Sequence, residues 1–303
     1  MGFGAEPVEY QHGAANRLSG IVKAIIRISP QTAIGMGVNG LNVGIDRLSC
    51  LGELFGGWRY RWSHENTFYF NVSLIVDIFK FNMKIEQRHP WSLTAEEAIA
   101  IQHQLSAEAI AEDRLGSVNY VAGIDAGYDS EGGMTRAAVA VLSFPDLRLQ
   151  DSAIARRPTT FPYIPGFLSF REVPTVLDAL EKLTLVPDLV LCDGQGLAHP
   201  RRLGLACHIG VLTDLPAIGV AKSRLIGTHD PVGSAKGEWT PLRDRGETIG
   251  AVLRSRQNVK PLYVSVGHRI SLPTAIDYVL RCTPKYRLPE TTRWADKLAS
   301  GYS

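Results

Sequence analysis

Scarce cysteine, the absence of a long apolar run and the lack of any charge excess narrow this chain before a motif is read. Its 303 residues hold four cysteines, Cys50, Cys192, Cys207 and Cys282, with no Cys-x-x-Cys spacing among them. That scatter excludes the usual structural zinc arrangements and fits reduced thiols rather than a disulfide framework. The most hydrophobic early stretch, 68–81, carries Asn71, Asp77 and Lys80. It is shorter than the roughly 20 apolar residues that a membrane-spanning helix requires. The first residues, Met1-Gly-Phe-Gly-Ala-Glu6, lack a basic stretch followed by an apolar one, so a soluble, cytoplasmic protein with no membrane partner is expected. Lysine plus arginine (32) barely exceeds aspartate plus glutamate (30), so a nucleic-acid partner would need a local basic patch instead of a global field.

What is present begins with an ordinary globular balance, 45% apolar and 20% charged, on a chain long enough for a sizeable core. Composition shifts near residue 83. Residues 1–82 are glycine-rich with short apolar bursts of no clear period, and read as an extension of uncertain order or as the product of an upstream start codon. Within them, Gly35-Met-Gly37-Val-Asn-Gly40 matches the dinucleotide fingerprint by letter only, because the flanking strand, helix and later acidic residue are missing. From 83 to 303 the pattern is crisp and reads as one domain. Thr94 with Glu97 makes a capping box, and apolar residues at helical spacing predict a helix to Leu115. Strands are expected at 118–127, 135–144 and 149–158, then a helix at 170–184, a strand at 188–193, a helix at 200–213 and a strand at 216–222. Further strands at 247–254 and 261–267 and helices at 273–282 and 289–300 complete the domain. This is an α/β chain, a mixed sheet of βββ-α-β-α-β order flanked by helices.

Three separated stretches each carry one carboxylate of interest. Asp125 ends the apolar run Val121-Ala-Gly-Ile, Asp193 ends Leu189-Val-Leu-Cys, and Glu172 follows the Pro165-Gly166 turn. A carboxylate at the end of a buried strand is costly alone, so it is paired, hydrogen-bonded or bound to a metal. Three together suit Mg²⁺, which takes oxygen ligands, keeps several waters and supports phosphodiester hydrolysis. Lys222 ends the next strand, on the same sheet edge if that strand runs parallel. Arg201 and Arg202, after His199-Pro200, are placed at a helix start that would favour phosphate. Tyr163-Ile164-Pro165-Gly166 is a compact turn with two large apolar side chains; it either tucks onto the core, the reading the residues favour, or presents a tip able to wedge between bases. His268 lies just past a strand, and His208 reads as a core histidine in an apolar helix.

These blocks, in this order from about residue 90 to 300, resemble the endonuclease V (deoxyinosine 3′ endonuclease) family. The most specific are Tyr163-Ile-Pro-Gly-Phe-Leu-Ser-Phe-Arg-Glu172 and Asp193-Gly-Gln-Gly-Leu-Ala-His-Pro-Arg-Arg-Leu-Gly204, joined by Ile218-Gly-Val-Ala-Lys222, Gly267-His268-Arg and the stretch Tyr286 to Asp296. The resemblance implies a ribonuclease H-like fold and Mg²⁺-dependent hydrolysis, with Mn²⁺ as a substitute, of the second phosphodiester 3′ to a hypoxanthine base. The products would be 3′-hydroxyl and 5′-phosphate ends. It implies Asp125, Asp193 and Glu172 as metal ligands, Lys222 and His268 in phosphate contact and water positioning, and Tyr163 to Gly166 as a strand-separating wedge. A base pocket of Gly166, Leu168, Gly194, His199, Gly204, Leu205 and Leu225 is implied as well. The partner would be damaged DNA carrying deoxyinosine, or inosine-containing RNA, met by a monomer. Gln195 departs from relatives that carry histidine or asparagine there, and residues 1–82 have no counterpart. The rival readings are a junction resolvase sharing the acids and a binding module without catalysis.

Overall fold

The computed structural model describes Met83, residues 85–129 and residues 133–300, with the backbone of four short strands nearer the N-terminus. Two compact units divide the chain, Met1–Lys80 and Phe81–Ser303. In the first, Met36–Val38 pairs antiparallel with Leu41–Val43, and Tyr60–Trp62 with Phe68–Phe70. The glycine fingerprint therefore leads into a strand, where a dinucleotide-binding turn would lead into a helix. The expected uncertain order of the remainder of 1–82 lies outside the described residues.

In the second unit the capping box forms as read: Thr94 N–H donates to Glu97 Oε2 at 2.7 Å and Glu97 N–H to Thr94 Oγ1 at 3.2 Å. It opens α1, Ala95–Ser106. The helix stops nine residues before Leu115 although the sequence continues with good helix formers. Tertiary pairing takes over, because Ile110 O accepts from Arg269 N–H at 2.6 Å and Arg114 N–H donates to Arg269 O at 3.0 Å.

The sheet is built from β1 (Tyr120–Tyr128), β2 (Met134–Ser143), β3 (Leu149–Pro158), β4 (Leu189–Cys192), β5 (Ala217–Ala221), β6 (Trp239–Asp244), β7 (Glu247–Leu253) and β8 (Leu262–His268). Its spatial order is β6-β7-β8-β5-β4-β1-β2-β3. Strands β1 to β3 form the expected antiparallel meander, and β4 and β5 run parallel to β1. That is the ribonuclease H-like core, extended by three antiparallel strands. Strand β6 was not legible because Pro241 interrupts it; an edge strand bonded on one side tolerates a missing N–H.

Helices α2 (Leu168–Leu180) and α3 (Leu205–Thr213) cover one face, where Ala122, Ile124, Val190 and Cys192 meet Val173, Val176 and Ile209. On the other, Val121, Leu189 and Leu191 join Ala275, Ile276 and Val279 of α4 (Leu272–Arg281). Alternate residues of β4 thus enter different cores, which is why that strand is apolar throughout. Cys192, Cys207 and Cys282 are free and buried. No helix among the described residues is long and apolar enough to cross a membrane.

The last described helix, α5 (Glu290–Ser300), lies against β1 at one point of closest approach. A Cβ on Gly123 would stand 2.0 Å from Thr291 O and 2.6 Å from Thr292 N, so only glycine lets the helix backbone reach the strand. Gly123→Ala is therefore expected to cost about 3 kcal/mol through overpacking. Urea denaturation at equilibrium checks this, and an unchanged midpoint would contradict the close approach.

Candidate active site

Parallel pairing of β1 with β4 sets Ile124 opposite Cys192, and Asp193 N–H continues the ladder to Ile124 O at 2.9 Å. The following residue of β1 is Asp125, three residues before that strand ends, so its carboxylate stands level with that of Asp193, the first residue past β4. Strand β5, parallel to β4, then delivers Lys222, whose Nζ pairs with Asp193 Oδ2. Two further acids come from helices. Glu172, the fifth residue of α2, is buried and accepts from the Tyr128 hydroxyl at 2.9 Å. Asp296, on α5 and exposed, acts electrostatically on both Asp125 and Lys222.

The charges are unbalanced. Burial, then the neighbouring Asp193, pushes the Asp125 carboxyl up to about 7; Asp296 adds to this and Lys222 opposes it. Glu172 is pushed up to about 8, mainly by burial, against the Tyr128 hydrogen bond and with Asp125 and Asp193 contributing. Burial alone would lower the Lys222 pKa, yet Asp193, Asp125 and Asp296 raise it overall. One ammonium thus serves three carboxylates, while Arg171 opposes the rise at Glu172. Among the described residues no group of three or more Asp, Glu, His or Cys side chains is placed to hold a metal ion as they stand. The arrangement is an open acidic cluster with Lys222 paired to Asp193, and an ion entering it would have to keep much of its own water.

The remaining expected residues divide. Tyr163 is 73% exposed, whereas Ile164 packs on Ala98, Phe161, Phe167 and Phe170, so the turn is anchored at one residue and protrudes at the other. The tucked reading holds for Ile164 alone. His199 is buried; its Nε2 faces Gly166 O at 3.0 Å while Nδ1 accepts from Arg201 N–H at 3.2 Å, which sets the proton on Nε2. Burial, then Arg201, lowers its pKa to about 4, leaving it neutral. A Cβ on Gly194 would touch the Leu205 side chain at 3.1 Å, and one on Gly204 would collide with Gln195 O at 2.3 Å, so both glycines serve close packing of the 193–204 loop. Leu205 is buried under that loop, and Leu168 and Leu225 are 37% and 44% exposed.

Three expectations are corrected by placement. Helix α3 begins at Leu205, not near 200, since Arg202 adopts a left-handed φ of 55° and Gly204 is the N-cap. Arg201 and Arg202 therefore precede the helix by several residues. Arg202 is held by Asp244 and Glu247 at 2.9 Å each, and Arg201 points its Nη2 to Gly166 O at 2.8 Å. His268 is not brought to the acids. It pairs with Ala217, five residues from Lys222 and so about 16 Å away along the strand. Its Nδ1 accepts from Ile110 N–H and its Nε2 meets Asp214 Oδ1, both at 3.3 Å, so one ring nitrogen holds the segment after α1 and the other the C-cap of α3. Asp296 and Tyr128 were the residues missed. An aspartate on an amphipathic helix reads as a solvated face, and only its place in the Tyr286–Asp296 block marked it.

A sequence profile of the Endonuclease V family matches residues 100–297. Endonuclease V of Trichormus variabilis is 66% identical over 219 residues, covering 72% of this chain and 99% of that protein. The crystal structure of endonuclease V from Streptomyces avermitilis is 44% identical with a TM-score of 0.67, covering 72% of this chain and 96% of that one. Ciona intestinalis endonuclease V, solved with a 23mer DNA containing an inosine followed by a ribo-adenosine, is 31% identical with a TM-score of 0.62, covering 69% and 97%.

The raised carboxyl pKa values fix a sign for stability. Folded Asp125 and Glu172 hold protons more tightly than the unfolded chain, so their contribution to stability falls as pH rises through about 7 and 8. Buried His199 works the other way, but only between about 4 and its ordinary value of 6.5. Between pH 6.5 and 8, without divalent cation, the melting midpoint should therefore fall, and Asp125→Asn should shrink that fall. A midpoint flat across this window would contradict the crowding of the acids.

Proposed function

This chain belongs to the endonuclease V family of DNA nucleases, and we propose that it is a repair enzyme that nicks DNA at deoxyinosine. The cut falls at the second phosphodiester 3′ to the hypoxanthine base and leaves 3′-hydroxyl and 5′-phosphate ends. The observation that carries this reading is the level placement of Asp125 and Asp193 on adjacent parallel strands, with Lys222 attached to Asp193. Mg²⁺, or Mn²⁺ in its place, held by Asp125, Asp193 and Glu172 with Asp296 beside them, would supply an activated water and neutralise charge on the phosphate.

The chain's own groups do the rest. Lys222 keeps its proton, and its three donors can exchange Asp193 for a phosphate oxygen as the strand enters. The Tyr128 hydroxyl holds Glu172 in one orientation. Exposed Tyr163 enters the stack and opens the duplex at the lesion, where an imperfect pair makes opening cheaper. A flipped hypoxanthine presents an N1–H donor and an O6 acceptor, the reverse of adenine, so backbone groups of the 193–204 loop can tell them apart. Guanine shares that edge but adds a 2-amino group, which a close wall would reject. Neutral His199, its Nε2 proton committed to Gly166, adds no charge to this reading. The protein would act as a monomer, and the free buried cysteines suit a reducing cytoplasm.

The decisive assay places one deoxyinosine in an end-labelled duplex. Expected is a single nick at the second 3′ linkage that requires Mg²⁺, falls on the order of 10³-fold in Asp125→Ala, and leaves binding in chelator within about threefold. Cleavage undiminished in chelator, or faster cleavage of a four-way junction or inosine RNA, would overturn the assignment to deoxyinosine DNA.

A further inference from the structure

We propose that Gln102, a buried residue of α1 remote from the acids, is a positioning residue that stiffens the protruding tip 163–166 for strand separation. The proposal rests on the reading of that tip as a wedge.

The geometry centres on one carbonyl. Gly166 O accepts from Gln102 Nε2 at 3.0 Å, Arg201 Nη2 at 2.8 Å and His199 Nε2 at 3.0 Å. A backbone oxygen offers two lone pairs, so three side-chain donors are more than simple satisfaction demands. The triangle closes because Arg201 Nε also donates to Gln102 Oε1. Gln102 is fully buried while its neighbours His103 and Gln104 on the same helix are exposed. An amide suits the position: it donates to the carbonyl and accepts from the guanidinium, whereas a carboxylate could only accept.

Everything around the carbonyl resists movement. Gly166 has a φ of +82°, a conformation that side-chain-bearing residues rarely adopt. Arg201 lies 4.5 Å over the Phe167 ring, and Phe161, Phe167, Phe170 and Ile164 form an apolar pad with Ala98 and Ile101 of α1. Tyr163, 73% exposed, is the large side chain that stands free of this base. Unstacking a base step costs a few kcal/mol, and a side chain on a yielding loop would fold aside before doing that work. A rigid base turns binding energy into strand opening. A strand that is already single needs no opening, so the contribution of Gln102 should appear on duplex substrates alone.

The test compares the parent with Gln102→Leu, which loses both bonds, and Gln102→Glu, which keeps only the acceptor. Two readouts are taken: exchange of the Phe167 amide, which donates to Ile164 O at 3.1 Å across the tip, and kcat/KM on duplex and on single-stranded deoxyinosine DNA with Mg²⁺. In Gln102→Leu, exchange at that amide should quicken about tenfold and the duplex rate should fall about tenfold, with the single-stranded rate unchanged. Gln102→Glu should lose protection as well, and it serves alone if the leucine variant does not fold. An equal fall on both substrates, or unchanged exchange with an unchanged duplex-to-single-strand ratio, would overturn the proposal. If the parent cuts neither substrate, the assignment of function fails by itself, and exchange alone then decides whether Gln102 holds the tip.

Discussion

Two like charges held level on adjacent parallel strands repel one another, and much of this molecule is arranged around that repulsion. Backbone pairing leaves no freedom to relieve it: once Ile124 and Cys192 are opposite, Asp125 and Asp193 must be neighbours. Burial compounds the cost by removing the water that would screen it. Lys222 relieves part of the strain from the third parallel strand, and Tyr128 does so for Glu172 from the far end of β1. The residual charge imbalance is what a cation and a phosphate would both answer. The same crowding that destabilises the protein is what a bound cation would relieve.

The layers around the sheet follow from this requirement. The central strands must be buried on both faces to present their ends together, so both faces are covered by helices. One helix, α5, has to lie flat on the acid-bearing strand, and Gly123 makes room for it. The loop after Asp193 has to fold back tightly, and Gly204 makes room there. Short side chains near the site thus serve backbone packing before they serve any ligand.

The strand-end acids were legible because apolar runs that terminate in aspartate have few innocent explanations. The βββ-α-β-α-β order was legible for the same reason, since its central strands are apolar on both faces. Three features were hidden, each by a tertiary effect. The edge position of β6 excused Pro241; the pairing of 108–114 with the end of β8 cut α1 short; and the antiparallel sense of β8 carried His268 away from the site. A motif residue next to a strand looks the same whichever end of the sheet it occupies. Asp296 was hidden differently, as one acid among several on a helix whose docking direction only the fold reveals.

The span of the acidic cluster along the polypeptide, from Asp125 on β1 to Asp296 on α5, has a bearing on synthesis. During translation the first strand, the two central acids and the lysine all emerge well before the helix that completes the set. A ribosome-bound fragment ending before α5 lacks both the fourth carboxylate and the slab that covers the first strand. Closure of the acid set and of the face of β1 therefore arrives late, with the docking of one helix.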